Sequence, residues 1–410
     1  MERKIMAVAL SSTLALSTLI ACTSAKSDSS SGSQAGSIVP SFDYICSDAA
    51  CFEGVREADY GYYEEELVFN TEEYDAIDEN GFRKVSVSPL STFSADVDTA
   101  SYSNLRRMLN DGYSIEEIPQ GAVRAEEMIN YFTYDYNGPE EGEPFGVNAE
   151  ISTCPWNSEH DLLMLGLQTQ AIDFEDAADS NIVLLIDVSG SMYSENKLPL
   201  LKESFELLID NLTEKDSVSI VTYASGVNEV INGVPASEKD TIIDALTNLQ
   251  AGGGTNGEGG IQLAYELAEE NFIKGGNNRV IIATDGDFNI GVSSQSDLSK
   301  LIKEKSKSGI YLSVLGFGMG NYSDSRMETL ADDGNGNYAY IDSISEAKKV
   351  LVEELGATMV TVAKDVKLQV EFNPAFVSEY RLIGYEDRLM ADEDFEDDKK
   401  DAGEIGASQV

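Results

Sequence analysis

The chain has 410 residues, 42% of them hydrophobic, and a formal net charge of -45 from 28 basic against 73 acidic side chains. That apolar content suits about two or three globular domains, while the acid excess excludes nucleic acid as a natural partner and electrostatic attraction to an anionic membrane. A single histidine also argues against a Ser-His-Asp or Cys-His catalytic arrangement and against a catalytic zinc site, which normally draws on more than one imidazole.

At the amino terminus, Arg3 and Lys4 precede an uncharged apolar stretch over 5–20, so residues 1–21 read as a secretory signal rather than a spanning helix. Leu19-Ile20-Ala21-Cys22 resembles the bacterial lipobox, which implies lipidation of Cys22 as the mature first residue. Acyl chains contribute about 0.8 kcal/mol per buried methylene, so more than one chain gives stable anchoring. The lipid is then the only contact with a membrane. The expected location is the bacterial cell envelope. Thr23, where an aspartate would favour inner-membrane retention, points to the outer membrane or cell surface, with a periplasmic face as the alternative.

Residues 22–40 are rich in Ser, Gly and Ala and read as a flexible tether. Cys46 and Cys51 follow; in an oxidising compartment they suit a short-loop disulfide, which leaves Cys154 as a buried thiol. Residues 41–180 form an amino-terminal region with two helices, at 99–110 and 123–132, followed by strands at 147–153 and 162–169. His160 lies between those strands in Asn157-Ser158-Glu159-His160-Asp161, a solvated hairpin turn. The strands read as a pair, and are expected to join a second pair, 366–372 with 380–385, in a β-sandwich assembled from both flanks, with the two helices packed on it.

From 181 to 358 the chain alternates buried strands with amphipathic helices, the pattern of an α/β parallel sheet covered on both faces. Leu201, Phe205, Leu208 and Leu212 mark one helical face between strands at 182–186 and 218–223. Further strands are read at 279–284, 310–317 and 338–341, and Ser343-Ile344-Ser345-Glu346 is a capping-box signal for a helix ending near Leu355.

The first apolar run closes on Asp187-Val188-Ser189-Gly190-Ser191, placing a carboxylate and two hydroxyls at the carboxyl end of a buried strand. A hard divalent cation takes such oxygen ligands in a compact shell. The run at 279–284 ends likewise, in Asp285-Gly286-Asp287. In a parallel sheet all carboxyl ends share one edge, so Asp187 and Asp285 should meet where strand order reverses. Thr255, in the loop Gly252-Gly253-Gly254-Thr255-Asn256-Gly257, supplies a third segment.

Taken together, Asp187-x-Ser189-x-Ser191, Thr255 and Asp285 resemble the metal ion-dependent adhesion site of the von Willebrand factor type A family, with all five positions filled. The resemblance implies a Rossmann-like sheet and magnesium, with manganese or calcium as alternatives. Ser189, Ser191 and Thr255 would hold the ion directly or nearly so, and Asp187 and Asp285 directly or through water. One position would stay open for a carboxylate from a protein partner. Rival readings are a magnesium-dependent hydrolase using Asp187, Asp285 and Asp287, and an envelope protein in which the ion only stabilises the fold.

Other motif matches lack their structural context. Gly252-x-Gly254-x-x-Gly257 follows a helical stretch, where a dinucleotide fingerprint would follow a strand. Ser194-x-x-Lys197 lacks the Ser-Asp-Asn and Lys-Thr-Gly that accompany a serine nucleophile. Asp333-x-Asn335-x-Asn337 has Tyr338 where a calcium loop needs glycine, and reads as a turn.

The flanks carry a second resemblance. Pro89-Leu90-Ser91-Thr92-Phe93-Ser94-x-Asp96-Val97-Asp98-Thr99-Ala100-Ser101-Tyr102 and Glu126-Glu127-Met128-Ile129-Asn130-Tyr131-Phe132 are similar to the YfbK-like bacterial lipoproteins, from about Asn70 onward. Asp401-Ala402-Gly403-Glu404-Ile405-Gly406 matches the start of that family's carboxyl-terminal domain, here 359–410. The expectation is a truncated or frameshifted member whose sandwich lacks strands and exposes an edge.

Overall fold

In the computed structural model, residues 71–170, 178–286, 295–354, 360–397 and 402–406 are described. The signal segment, Cys22, the tether, Cys46, Cys51 and Asp287 lie outside them. In chain order, β1 (Arg83–Lys84) and β2 (Leu90–Ser94) precede α1 (Ala100–Asn110) and α2 (Ala125–Asn130). The hairpin strands β3 (Phe145–Thr153) and β4 (Asp161–Thr169) follow. Then come β5 (Ser180–Asp187), α3 (Leu198–Asn211), β6 (Ser217–Tyr223), β7 (Val227–Pro235), α4 (Lys239–Thr247) and α5 (Gly257–Glu270). After these stand β8 (Asn277–Thr284), α6 (Gln295–Lys307), β9 (Ile310–Phe317), α7 (Asp324–Asp333), β10 (Tyr338–Ile341) and α8 (Ile344–Lys348). The last strands are β11 (Thr361–Glu371), β12 (Glu379–Tyr380) and β13 (Gly403–Gly406).

Strand β5 is buried along its whole length, and its alternation serves two cores. Ile182, Leu184 and Ile186 pack with Leu201, Phe205, Leu208 and Leu212 on one face, whereas Val183 and Leu185 pack with Ile261, Ala264 and Leu267 on the other. Successive side chains of a strand point to opposite faces, so a continuous apolar run is what a strand between two helical layers requires. The six-stranded sheet has the order β10-β9-β8-β5-β6-β7, parallel except for β7, which runs antiparallel to β6. Strand order therefore reverses between β5 and β8, which places Asp187 and Asp285 at the switch point of a doubly wound sheet.

The two upstream helices depart from expectation: α1 packs against the β10 edge of this sheet and α2 packs on α1. Ala100 shares a core with Val280 and Tyr338, and Asp98 Oδ1 accepts from the Tyr338 amide at 2.7 Å. Arg106 reaches Glu346 at 2.8 Å and Asp342 at 2.5 Å, while Arg124 reaches Glu127 at 2.8 Å and Asp324 and Glu328 at 2.5 Å each. An edge strand needs cover, and guanidinium forks on the helices match carboxylates beside it. Glu346 also shows why only half of the capping box forms. Its amide donates to Ser343 Oγ at 3.3 Å, but its carboxylate is engaged by Arg106 and Tyr131.

On the flanks, β3 and β4 pair antiparallel from Phe145↔Thr169 to Thr153↔Asp161. The expected pairing of 366–372 with 380–385 does not occur. Instead β11 takes β2 and β13 as antiparallel partners, and β12 pairs with β1. The Ser- and Thr-rich segment Leu90–Ser94 is β2, whose apolar alternation is too weak to announce a strand. The β3–β4 hairpin and the β13-β11-β2 sheet meet through Phe145, Leu167, Ala95, Val366 and Ile405, so both flanks contribute to one minor core. Cys154 is buried and free.

Candidate metal centre

Asp187 is fully buried at the end of β5. Its Oδ1 accepts from the Ser189 amide at 2.8 Å and its Oδ2 from Thr284 Oγ1 at 3.0 Å. The first contact closes a tight Asx turn that swings Ser189 and Ser191 back over the strand end. Their hydroxyl oxygens lie 3.0 Å apart.

The glycine loop is sewn to this turn by main-chain hydrogen bonds, Gly252 N to Val188 O at 2.8 Å and Gly190 N to Gly253 O at 3.0 Å. Gly253 has φ +89°, and a Cβ there would meet Ser225 Oγ at 2.8 Å, so only glycine allows the approach. The loop thereby brings Thr255, half-buried, to the same edge as the serines. Asp285 follows β8 and is fully buried. Gly286 next to it has φ +87°, and a Cβ there would stand 2.6 Å from the Ser323 amide.

The electrostatics follow from burial. Asp187 is pushed up to about 6 by desolvation and by the neighbouring Asp285 carboxylate, against hydrogen bonds from Ser189 and Thr284. Tyr223, entirely buried below, is raised well above the usual phenol range by burial first and then by the charge of Asp187.

The donor set of carboxylates and short hydroxyls fits a hard divalent cation. The Ser189 and Ser191 hydroxyls are hydrogen-bonded to each other at 3.0 Å, which holds both oxygens on one side of the strand end. Asp187, Ser189, Ser191 and Asp285 converge from β5 and β8 as the parallel-sheet argument requires, with Thr255 carried by the adjoining loop.

Two participants escaped the sequence reading. Thr284, the last residue of the β8 run, holds Asp187 Oδ2; a hydroxyl at a strand end was the available signal. Lys197, seen in sequence only as part of a chance Ser-x-x-Lys match, is 5% exposed and places Nζ 2.8 Å from Asp285 Oδ2. No local spacing announces that contact. His160 is exposed in the β3–β4 turn, beside Asn157 and edge-on to Phe82, and takes no part in this centre.

Comparison with known proteins agrees with this geometry. The family model of the von Willebrand factor type A domain matches residues 181–354. A model described as YfbK, C-terminal, matches 357–410, and one described as von Willebrand factor matches 68–164. The Escherichia coli (strain K12) protein described as uncharacterized protein YfbK is 44% identical over 346 residues, covering 83% of this chain and 60% of that protein. Inter-alpha-trypsin inhibitor heavy chain H2 of Sus scrofa is 28% identical over 186 residues, 42% of this chain and 20% of its own length. The chain thus spans about three fifths of the first relative and a fifth of the second. Among solved structures, a von Willebrand factor type A protein from Catenulispora acidiphila aligns at 19% identity and TM-score 0.40, over 57% of this chain and 53% of its own. Proximal thread matrix protein 1 from mussel byssus, with a zinc-occupied MIDAS motif, aligns at 22% identity and TM-score 0.36, over 43% and 45%. Those two alignments are too loose to add to the assignment. From the sequence relatives and the family models, the chain is a YfbK-like protein built around a von Willebrand factor type A domain.

Proposed function

We propose that this protein captures a protein partner through a divalent cation, magnesium by preference, held by Asp187, Ser189, Ser191, Thr255 and Asp285. Domains of this family commonly mediate metal-dependent protein interaction. The observation that carries the reading is the pair of serine hydroxyls 3.0 Å apart at the switch point, beside Asp187 and across from Asp285. When bound, the cation supplies an electrophilic point for a carboxylate from the partner. The residues do the rest: Asp187 is fixed by Ser189 and Thr284, the serines are oriented by the Asx turn, and the glycine loop presents Thr255. No chemistry of its own is assigned to the centre, a reading supported by the position of its sole histidine in the β3–β4 turn.

The test is calorimetric titration of magnesium into the full chain, wild type against Thr255→Ala. Binding that the substitution abolishes, with the thermal unfolding profile intact, supports an adhesive site and justifies a magnesium-dependent search for acidic partners. Absence of wild-type binding sinks the reading.

We further propose that the chain is held at the envelope by lipid on Cys22, with the outer membrane or cell surface as its location. The support is Leu19-Ile20-Ala21-Cys22 directly after an apolar stretch. Mass spectrometry of the amino-terminal peptide should find diacylglyceryl on Cys22, and Cys22→Ser should release the chain from membranes; an unmodified Cys22 refutes it.

A further inference from the structure

The geometry points to Lys197 as the residue that sets which divalent ion the centre accepts, by holding one oxygen of Asp285 and lowering the net negative charge around the ion. The inference rests on the metal reading of the same centre and goes beyond it in naming a residue outside the five ligands.

Lys197 stands just before α3, and its amide and carbonyl are both used, donating to Ser194 O at 3.0 Å and accepting from Leu201 N at 2.8 Å. Its side chain runs inward. Nζ contacts Asp285 Oδ2 and Asn321 Oδ1, each at 2.8 Å. The aliphatic stem lies on Gly318, which has φ +76°, and a Cβ at that position would collide with it. Gly318 is itself fixed by Tyr340, whose hydroxyl donates to its carbonyl at 2.6 Å. The ammonium is therefore delivered through a slot built for it.

Two consequences follow for an ion at the centre. Calcium takes six to eight oxygens and often uses both oxygens of a carboxylate, whereas magnesium is satisfied by six, many of them water. Asp285 Oδ2 is committed to Nζ, and both oxygens of Asp187 already accept hydrogen bonds. Each Asp187 oxygen keeps a second lone pair, but a cation at Asp285 Oδ2 would meet the like charge of the ammonium, so Asp285 is held to one-oxygen ligation and the centre suits the small octahedral ion. The positive charge on Lys197 also offsets one of the two aspartates, leaving an ion less neutralised by the protein and more attractive to an incoming carboxylate.

The test is calorimetry of the full chain with magnesium chloride and with calcium chloride, comparing wild type, Lys197→Met and Thr255→Ala. Removing the ammonium should raise the affinity for both ions, and for calcium by about tenfold more, because two-oxygen ligation by Asp285 then opens to the larger ion, while Thr255→Ala loses both ions. A calcium-to-magnesium ratio unmoved in Lys197→Met, with wild-type binding present and lost in Thr255→Ala, overturns the role of Lys197 and leaves the metal reading standing. Failure of all three proteins to bind either ion overturns both. Thermal unfolding in EDTA checks that Lys197→Met folds; if it does not, Lys197→Gln, which keeps a donor for Asn321, carries the same comparison.

Discussion

Two of the places where this acidic chain buries carboxylates balance them by different means. At the carboxyl edge of the sheet, Asp187 is held by an amide and a hydroxyl, and Asp285 by the Lys197 ammonium. Along the β10 flank, Glu127, Asp324 and Glu328 surround Arg124, while Asp96 and Asp332 sit 3.2 and 2.7 Å from Arg388. Guanidinium forks fill the second region with fixed donors, closing it to anything else. The first is built from short hydroxyls and backbone, which suits it to an external cation. The regions are also joined: Arg107 holds Glu72, Glu72 accepts from the Gly320 amide, and Asn321 next in the chain holds Lys197.

The contrast can be broken most forcefully from the arginine side. Arg388→Met strips the guanidinium from buried Asp96 and from exposed Asp332, and loss of one member of a buried pair costs about 3–5 kcal/mol. Urea unfolding should show that loss, while the ion affinity of any fraction still folded stays that of wild type.

Acid should sharpen the difference. Glu126, 2% exposed and with Oε2 lacking a hydrogen-bond partner among the described residues, is pushed up from 4.5 to about 7, chiefly by burial. Its folded-state value is raised, so between those limits the native state binds the extra proton. The stabilisation is full below about 4.5 and is lost as pH rises through about 7. It amounts to about 3 kcal/mol on the usual conversion. Wild type should therefore lose stability between pH 5 and pH 8 more steeply than Glu126→Gln, as followed by denaturant midpoints; parallel curves would dismiss the assignment.

The smallest effect on stability belongs to the metal edge. Thr255→Ala removes one half-exposed hydroxyl and should stay within about 0.5 kcal/mol of wild type in thermal unfolding without metal. Ion binding should nevertheless disappear. A large loss of stability in metal-free buffer would mean that the glycine loop is structural first.

Legibility in the sequence divides along the same line. The continuous apolar run of β5 and the helical face of Leu201, Phe205, Leu208 and Leu212 are local patterns, and both recur in the folded cores. The convergence of Asp187 with Asp285 also follows from sequence, because parallel strands end on one edge. The docking of α1 and α2 was not legible: Arg124 meets Asp324 across 200 residues, and Asp98 meets Tyr338 across 240. β2 hid behind its hydroxyl side chains, and the partner of β11 was misassigned as a result.

What the sequence alone determined is the sheet, its two apolar faces and the oxygen-bearing residues at its edge, because strand and helix periodicities are written within a few residues of each other. Only the tertiary structure decided how each buried charge is answered. Lys197 finds Asp285 at a separation of 88 residues because α3 begins beside the loop after β9, and the arginines find their carboxylates because helices from outside the domain cover its edge strand. A buried charge must be matched by whatever the fold places within a few ångströms of it, and that distance is set by packing, not by order along the chain.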